Sequence, residues 1–70
     1  MKLTQPQKRV LRRVVKTNGG GVPVSGDRDE KVIMRLYGMG LVQGKAGEQS
    51  RAVHSTEGLE LVRQLDAQAS

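Results

Sequence analysis

Arg28, Lys31 and Arg35 stand at i, i+3 and i+7, a spacing that lines up three cations along one side of a helix. Such a row can grip a polyanion. Arginine holds the guanine edge or a phosphate through two parallel hydrogen bonds, while lysine contributes a compact positive charge. The same stripe also fits a solvated helix face paired with Asp27, Asp29 and nearby acids. A second cationic group, Arg9, Arg12, Arg13 and Lys16, lies closer to the N-terminus. It fits either a further set of phosphate contacts or the water-facing side of its own helix. Lys45 and Arg51 add positive charge to a third segment.

The charge is unevenly placed. Lys2, Lys8 and the Arg9 to Lys16 group all precede Asp27, the first acidic residue, and beyond it the two signs nearly balance. A net charge of +5 on 70 residues favours a polyanionic partner, because each neutralised phosphate releases condensed counterions. A chain of this length buries only about 60% of the surface its unfolded form exposes. Its aliphatic residues are therefore needed for the core, and little is left to enclose an enzyme pocket, so no catalytic activity is expected. Cysteine is absent and His54 is the single histidine. Disulfide frameworks, thiolate metal sites and cysteine nucleophiles are thereby excluded, and neither a metal nor a cofactor is expected. No apolar run approaches the ~20 residues of a membrane span. No secretory signal is apparent, and the expected location is cytoplasmic.

The elements that must position these residues can be read from periodicity. Thr4 and Gln7 form a capping box with Pro6 in the first turn, opening a helix over residues 5–16. Its apolar arc is Val10, Leu11, Val14 and Val15. Asn18 and the glycines Gly19 to Gly21 end it. Val22, Pro23 and Val24 form a short extended stretch that proline confines to an edge. Ser25, Gly26 and Asp27 make a turn, and a second helix is expected over residues 28–37, with Val32, Ile33, Leu36 and Tyr37 facing inward. Gly38 and Gly40 stop it. Residues 41–43 and 49–54 read as two strands of a hairpin whose polar, glycine-rich tip spans residues 44–48. Ser55 or Thr56 caps a third helix over residues 57–66, buried through Leu59, Leu61, Val62 and Leu65, with Gly58 on the same side for close packing. Residues 67–70 are expected to fray.

The order is helix, short strand, helix, two-stranded hairpin, helix: one α+β domain over residues 1–70. That order, with the phrases LTQPQKRVLRRVV, VIMRLYGMGLV and VHSTEGLELV, resembles the winged-helix domain over residues 3–65. The helix that normally precedes the recognition helix is shortened or missing here, its place taken by Ser25, Gly26 and Asp27. The resemblance implies that the helix before the Gly38–Gly40 turn enters the DNA major groove and that the hairpin is the wing. By position, it makes Arg28, Lys31, Met34 and Arg35 groove-facing and assigns Lys45, Gln49 and Arg51 to the wing.

Two partner classes follow. One is duplex DNA, bound by a small transcriptional regulator, with a homodimer enlarging core and footprint. The other is a protein component of a transcription or replication machine whose acidic patch meets the basic faces. Tyr37, the sole aromatic residue, is expected in the core and not as a base-stacking platform. His54 is expected to be a partly exposed structural residue, and Gly19 to Gly21 a linker, because no Gly-Lys-Ser/Thr element follows them.

Overall fold

The computed structural model describes residues 2–69. Three helices and a three-stranded antiparallel sheet form an α+β fold in the expected order, compatible with a small winged-helix-like domain: α1 (Gln5–Lys16), β1 (Val22–Pro23), α2 (Glu30–Gly38), β2 (Val42–Lys45), β3 (Glu48–His54) and α3 (Thr56–Ala69). The sheet order is β1-β3-β2. This puts β1, with its proline, at an edge.

α1 is the hub. Its Thr4 and Gln7 exchange the two capping-box hydrogen bonds, the Thr4 amide donating to Gln7 Oε1 at 3.0 Å and the Gln7 amide to Thr4 Oγ1 at 3.3 Å. The apolar arc then places Val10, Leu11 and Val14 in the interior, where α1 packs against α2, α3 and β3. Leu11, Val14, Ile33 and Leu36 are the largest fully buried side chains, and all are aliphatic. At the end of α1, Asn18 takes a left-handed φ of 52° and its amide reaches the Val15 carbonyl. The Thr17 hydroxyl donates to the Val14 carbonyl at 2.6 Å and accepts the Gly21 amide at 2.9 Å. One side chain thus closes the helix and turns the chain into β1.

α2 begins two residues later than the periodicity predicts, leaving Arg28 in the turn ahead of it. It ends in a Schellman cap: the Gly40 amide bonds the Tyr37 carbonyl at 3.1 Å and the Leu41 amide bonds the Leu36 carbonyl at 3.0 Å. Gly40 supplies the required positive φ of 78°. Leu36 and Leu41 are both buried, as this cap favours. The hairpin strands are longer than expected, because Gly44, Lys45 and Glu48 lie in them and only Ala46 and Gly47 form the tip. Leu41 lies outside β2. Between Gly44↔Ala52 and Lys45↔Glu48 the register shifts, so Gln49, Ser50 and Arg51 span a single step of β2. That stretch of β3 faces β1 instead, through Pro23↔Arg51 and the Val24 amide on the Ser50 carbonyl.

Ser55, not Thr56, caps α3. Its hydroxyl donates to the Gly40 carbonyl at 2.7 Å and accepts the Gly58 amide at 3.1 Å. The Ser55 amide meanwhile bonds the Leu41 carbonyl. One serine thus fastens the α2–β2 bend to the start of α3. Gly58 lies against that bend, where an added Cβ would collide with the Leu41 carbonyl. α3 continues to Ala69 where fraying was expected from residue 67, and Ser70 lies outside the described residues. No helix among the described residues is long and apolar enough to cross a membrane.

Two substitutions test this packing. Leu11→Ala is expected to cost about 2–5 kcal/mol, because it empties a fully enclosed site. Gly58→Ala is expected to cost about 1–3 kcal/mol, because the obstacle is backbone and cannot rotate away. Urea denaturation followed by circular dichroism measures both.

Candidate nucleic-acid interface

α2 is a nine-residue helix, about 13 Å long at 1.5 Å per residue. Ile33 and Leu36 turn it toward the core, and the remaining side chains divide into two outward surfaces. On one, Lys31, Met34 and Arg35 line a shallow depression with Gly38 and Met39. On the other, Met34 and Tyr37 face the hairpin across a cleft of about 690 Å³ whose further walls include Gln43, Lys45, Gln49 and Arg51. The sequence-based candidates are therefore only partly assembled. Met34, Lys45, Gln49 and Arg51 share the cleft, Lys31 and Arg35 flank it, and Arg28 lines neither surface. The expected i, i+3, i+7 stripe loses its first member because the helix starts at Glu30.

Tyr37 corrects the expectation that it is core: it is 52% exposed, and Met34 is 55% exposed. At 100° per residue, Tyr37 stands about 70° from the centre of the Ile33–Leu36 direction, as Val32 does on the opposite flank. Val32 is half-buried and packed against the core. On the Tyr37 side lies the cleft. Sequence reasoning also missed Gln43, which alternation alone placed on a strand without assigning its face. The i, i+3 pairing of Met34 with Tyr37 was the available signal, since two large side chains beside the buried arc widen it beyond what one short helix can cover.

The charges around this surface are sorted by ion pairing. Arg13, expected as a phosphate contact, is committed elsewhere: its guanidinium reaches Asp27 at 2.5 Å and Asp29 at 3.0 Å. Asp27 also accepts the Asp29 amide at 2.8 Å, and the Glu30 amide bonds the Asp27 carbonyl. Residues 27–29 are thereby folded into one turn held against α1. Asp29 occupies the N-cap position of α2 without a side-chain cap bond, its carboxylate being held by Arg13. The Arg13 hydrogen bond, the Asp29 amide and the nearby positive charges hold the Asp27 carboxyl below its ordinary value, and the same pairing raises Arg13. Arg12 pairs with Asp66 at 3.0 Å. Of the α1 group, Arg9 and Lys16 are exposed and make no ion pair among the described residues, although all four line one groove of about 430 Å³ with Gln5 and Lys8.

On the hairpin, Glu48 lies 3.2 Å from Arg51 and 4.0 Å from Lys45. Arg51 also donates to the Gly21 carbonyl at 3.3 Å. The hairpin thus keeps one net positive charge, two cations less one carboxylate. Lys31, Arg35 and Arg28 are exposed and form no ion pair among the described residues. Asp27 and Asp29, their expected surface partners, are taken by Arg13. Arg35, in the last turn of α2, also suits the negative end of the helix dipole.

His54 is half-buried, with its Nδ1 enclosed and without a hydrogen-bond partner among the described residues. Among the described residues no group of three or more His, Cys, Asp or Glu side chains is placed to hold a metal ion. No family model, curated protein or solved structure matches the chain.

The Arg13 pairing has a pH signature. A carboxyl lowered by folding stabilises the native state above its unfolded value, near pH 4, and loses that contribution as pH falls through the lowered one. Thermal melts on acidification from about pH 5 should therefore show a steeper fall for the native protein than for Asp27→Asn. The variant should start from a lower melting temperature at neutral pH.

Proposed function

We propose that this chain is a small DNA-binding protein of the transcriptional-regulator kind, which contacts duplex DNA through the outer surface of α2 and the β2–β3 hairpin. The observation that carries this reading is the state of Lys31 and Arg35. Both are exposed on a short helix beside the hairpin and form no ion pair among the described residues; Asp27 and Asp29 ahead of the helix are paired with Arg13, which leaves Glu30 as the one acid beside Lys31. A helix of this size fits a major groove about 12 Å wide. Lys31 and Arg35 supply phosphate or guanine contacts there, and Met34 between them supplies apolar contact of the kind a thymine methyl accepts. Lys45, Gln49 and Arg51 extend the footprint from the wing, with Glu48 restraining two of those side chains. Arg28, outside the helix, is assigned a backbone contact at the edge of the footprint. Arg9 and Lys16 are the remaining candidates on α1 for a secondary phosphate contact.

The alternative is a winged-helix-like module that docks on a protein. Exposed Met34 and Tyr37 favour it, because large apolar side chains at a cleft are typical anchors of protein interfaces.

Salt dependence separates the two. Under the DNA reading, affinity for a random duplex falls with a log–log slope of about 0.9 per neutralised phosphate. Lys31→Ala with Arg35→Ala lowers that slope by about 2. Arg9→Ala with Lys16→Ala, an equally charged change on α1, has the smaller effect. Equal losses from both pairs would move the interface to α1. Duplex contact that disappears at physiological salt for the native protein would favour the protein-docking alternative. Fluorescence anisotropy across a salt series measures all three proteins.

A further inference from the structure

We infer that the cleft between α2 and the hairpin is a binding site for one unpaired nucleobase, stacked on the ring of Tyr37. The inference rests on the nucleic-acid reading above and adds a ligand class that paired DNA does not supply. Tyr37 is the only aromatic residue in the chain, yet the fold leaves it half exposed on the wall of a cleft of about 690 Å³. A small domain short of core material gains most from an aromatic ring by burying it. Here the four largest enclosed side chains are all aliphatic, and the ring stands outside them.

The cleft's composition matches the chemistry of a base and its phosphates. Tyr37 offers a flat face, and Met34 beside it offers a polarizable edge to a second surface of the base. Gln43 and Gln49 bring two side-chain amides, each with donor and acceptor, to the same cleft, where they can meet the hydrogen-bonding edge that unpairing exposes. Lys45 and Arg51 supply positive charge at the wall for the flanking phosphates. Ile33, Val24 and Ala52 complete an apolar floor. A base inside a duplex cannot enter such a cleft, so the ligand is a base freed from pairing, either in a single strand or extruded from a helix.

The lone aromatic makes the site report on itself. With one tyrosine and no tryptophan, ultraviolet-excited emission arises from Tyr37 alone. The native protein is titrated at low salt with a short oligo(dT), with a duplex bearing a single bulged thymine, and with the fully paired version of that duplex. Stacking predicts quenching by the oligo(dT), the bulged duplex or both, and little by the paired duplex. Quenching by oligo(dT) alone identifies a single strand as the source of the base, and quenching by the bulged duplex identifies an extruded one. In anisotropy with labelled ligands, Tyr37→Ala should weaken the quenching ligand about tenfold, Tyr37→Phe should retain it, and both should bind paired duplex within about twofold of the native protein. Melting curves of the two variants confirm the fold, which a half-exposed side chain does not dominate. Equal binding of all three ligands without quenching would overturn the inference. If paired binding then still depends on Lys31 and Arg35, the proposed function survives it. Absence of binding to every ligand at low salt would remove both.

Discussion

The ion pairs from Arg13 to Asp27 and Asp29 fasten the turn ahead of α2 to α1, while buried Ile33 and Leu36 hold the helix itself on the core. No helix separates β1 from α2, so nothing regular fixes the angle at which α2 leaves the chain. The guanidinium instead reaches from α1 to two carboxylates 14 and 16 residues away, and the Asp27 side chain closes the turn by accepting the Asp29 amide. One planar side chain with several donors thus does locally what a supporting helix would do through packing. It also pairs two negative charges that would otherwise stand unpaired ahead of α2. Position and electrostatics of the candidate interface are coupled in the same contact.

The remainder of the fold serves to hold α2 and the hairpin side by side. The Schellman cap at Gly40 turns the chain directly from α2 into β2, and Ser55 ties that bend to α3. Gly58 lets α3 approach the same backbone. The two walls of the cleft are therefore anchored within a few residues of each other. At the other end, the register shift near Gly44 lets β3 pair with β1 at Arg51 and with both neighbours at Ala52, and the hairpin tip, Ala46 and Gly47, lines the same cleft as Met34 and Tyr37. The geometry divides the surface into an outer cationic side of α2 and a mixed polar and apolar cleft.

Much of this was legible in local signals. The capping box of α1, the burial of Val10, Leu11 and Val14, the glycine stop after α2 and the close packing at Gly58 all follow from neighbours in sequence. The misplacements come from contacts that residue types alone do not show. Asp27 has the spacing of a helix cap, and its carboxylate does accept the Asp29 amide, but residues 27–29 form a turn paired with Arg13 and α2 starts only at Glu30. Tyr37 falls within reach of the apolar arc, but the hairpin does not close over it. The hairpin tip looked longer because Gly44, Lys45 and Glu48 lack apolar alternation, and only backbone pairing assigns them to strands. For the candidate site, the cations were visible as residue types. Their sorting into paired and unpaired required the third dimension, as did the meeting of Gln43 and Gln49 with Tyr37.

Pro23 occupies the outermost strand of the sheet. Because the Val24 amide bonds the Ser50 carbonyl, the alternation of antiparallel ladders makes Val22 and Val24 the inward-bonding positions and points the backbone nitrogen of Pro23 away from β3. The residue that has no N–H therefore sits where the sheet needs none, and an arriving strand finds no donor there. This margin lacks a donor that a foreign strand would need in order to extend the sheet from β1, one of its two edges.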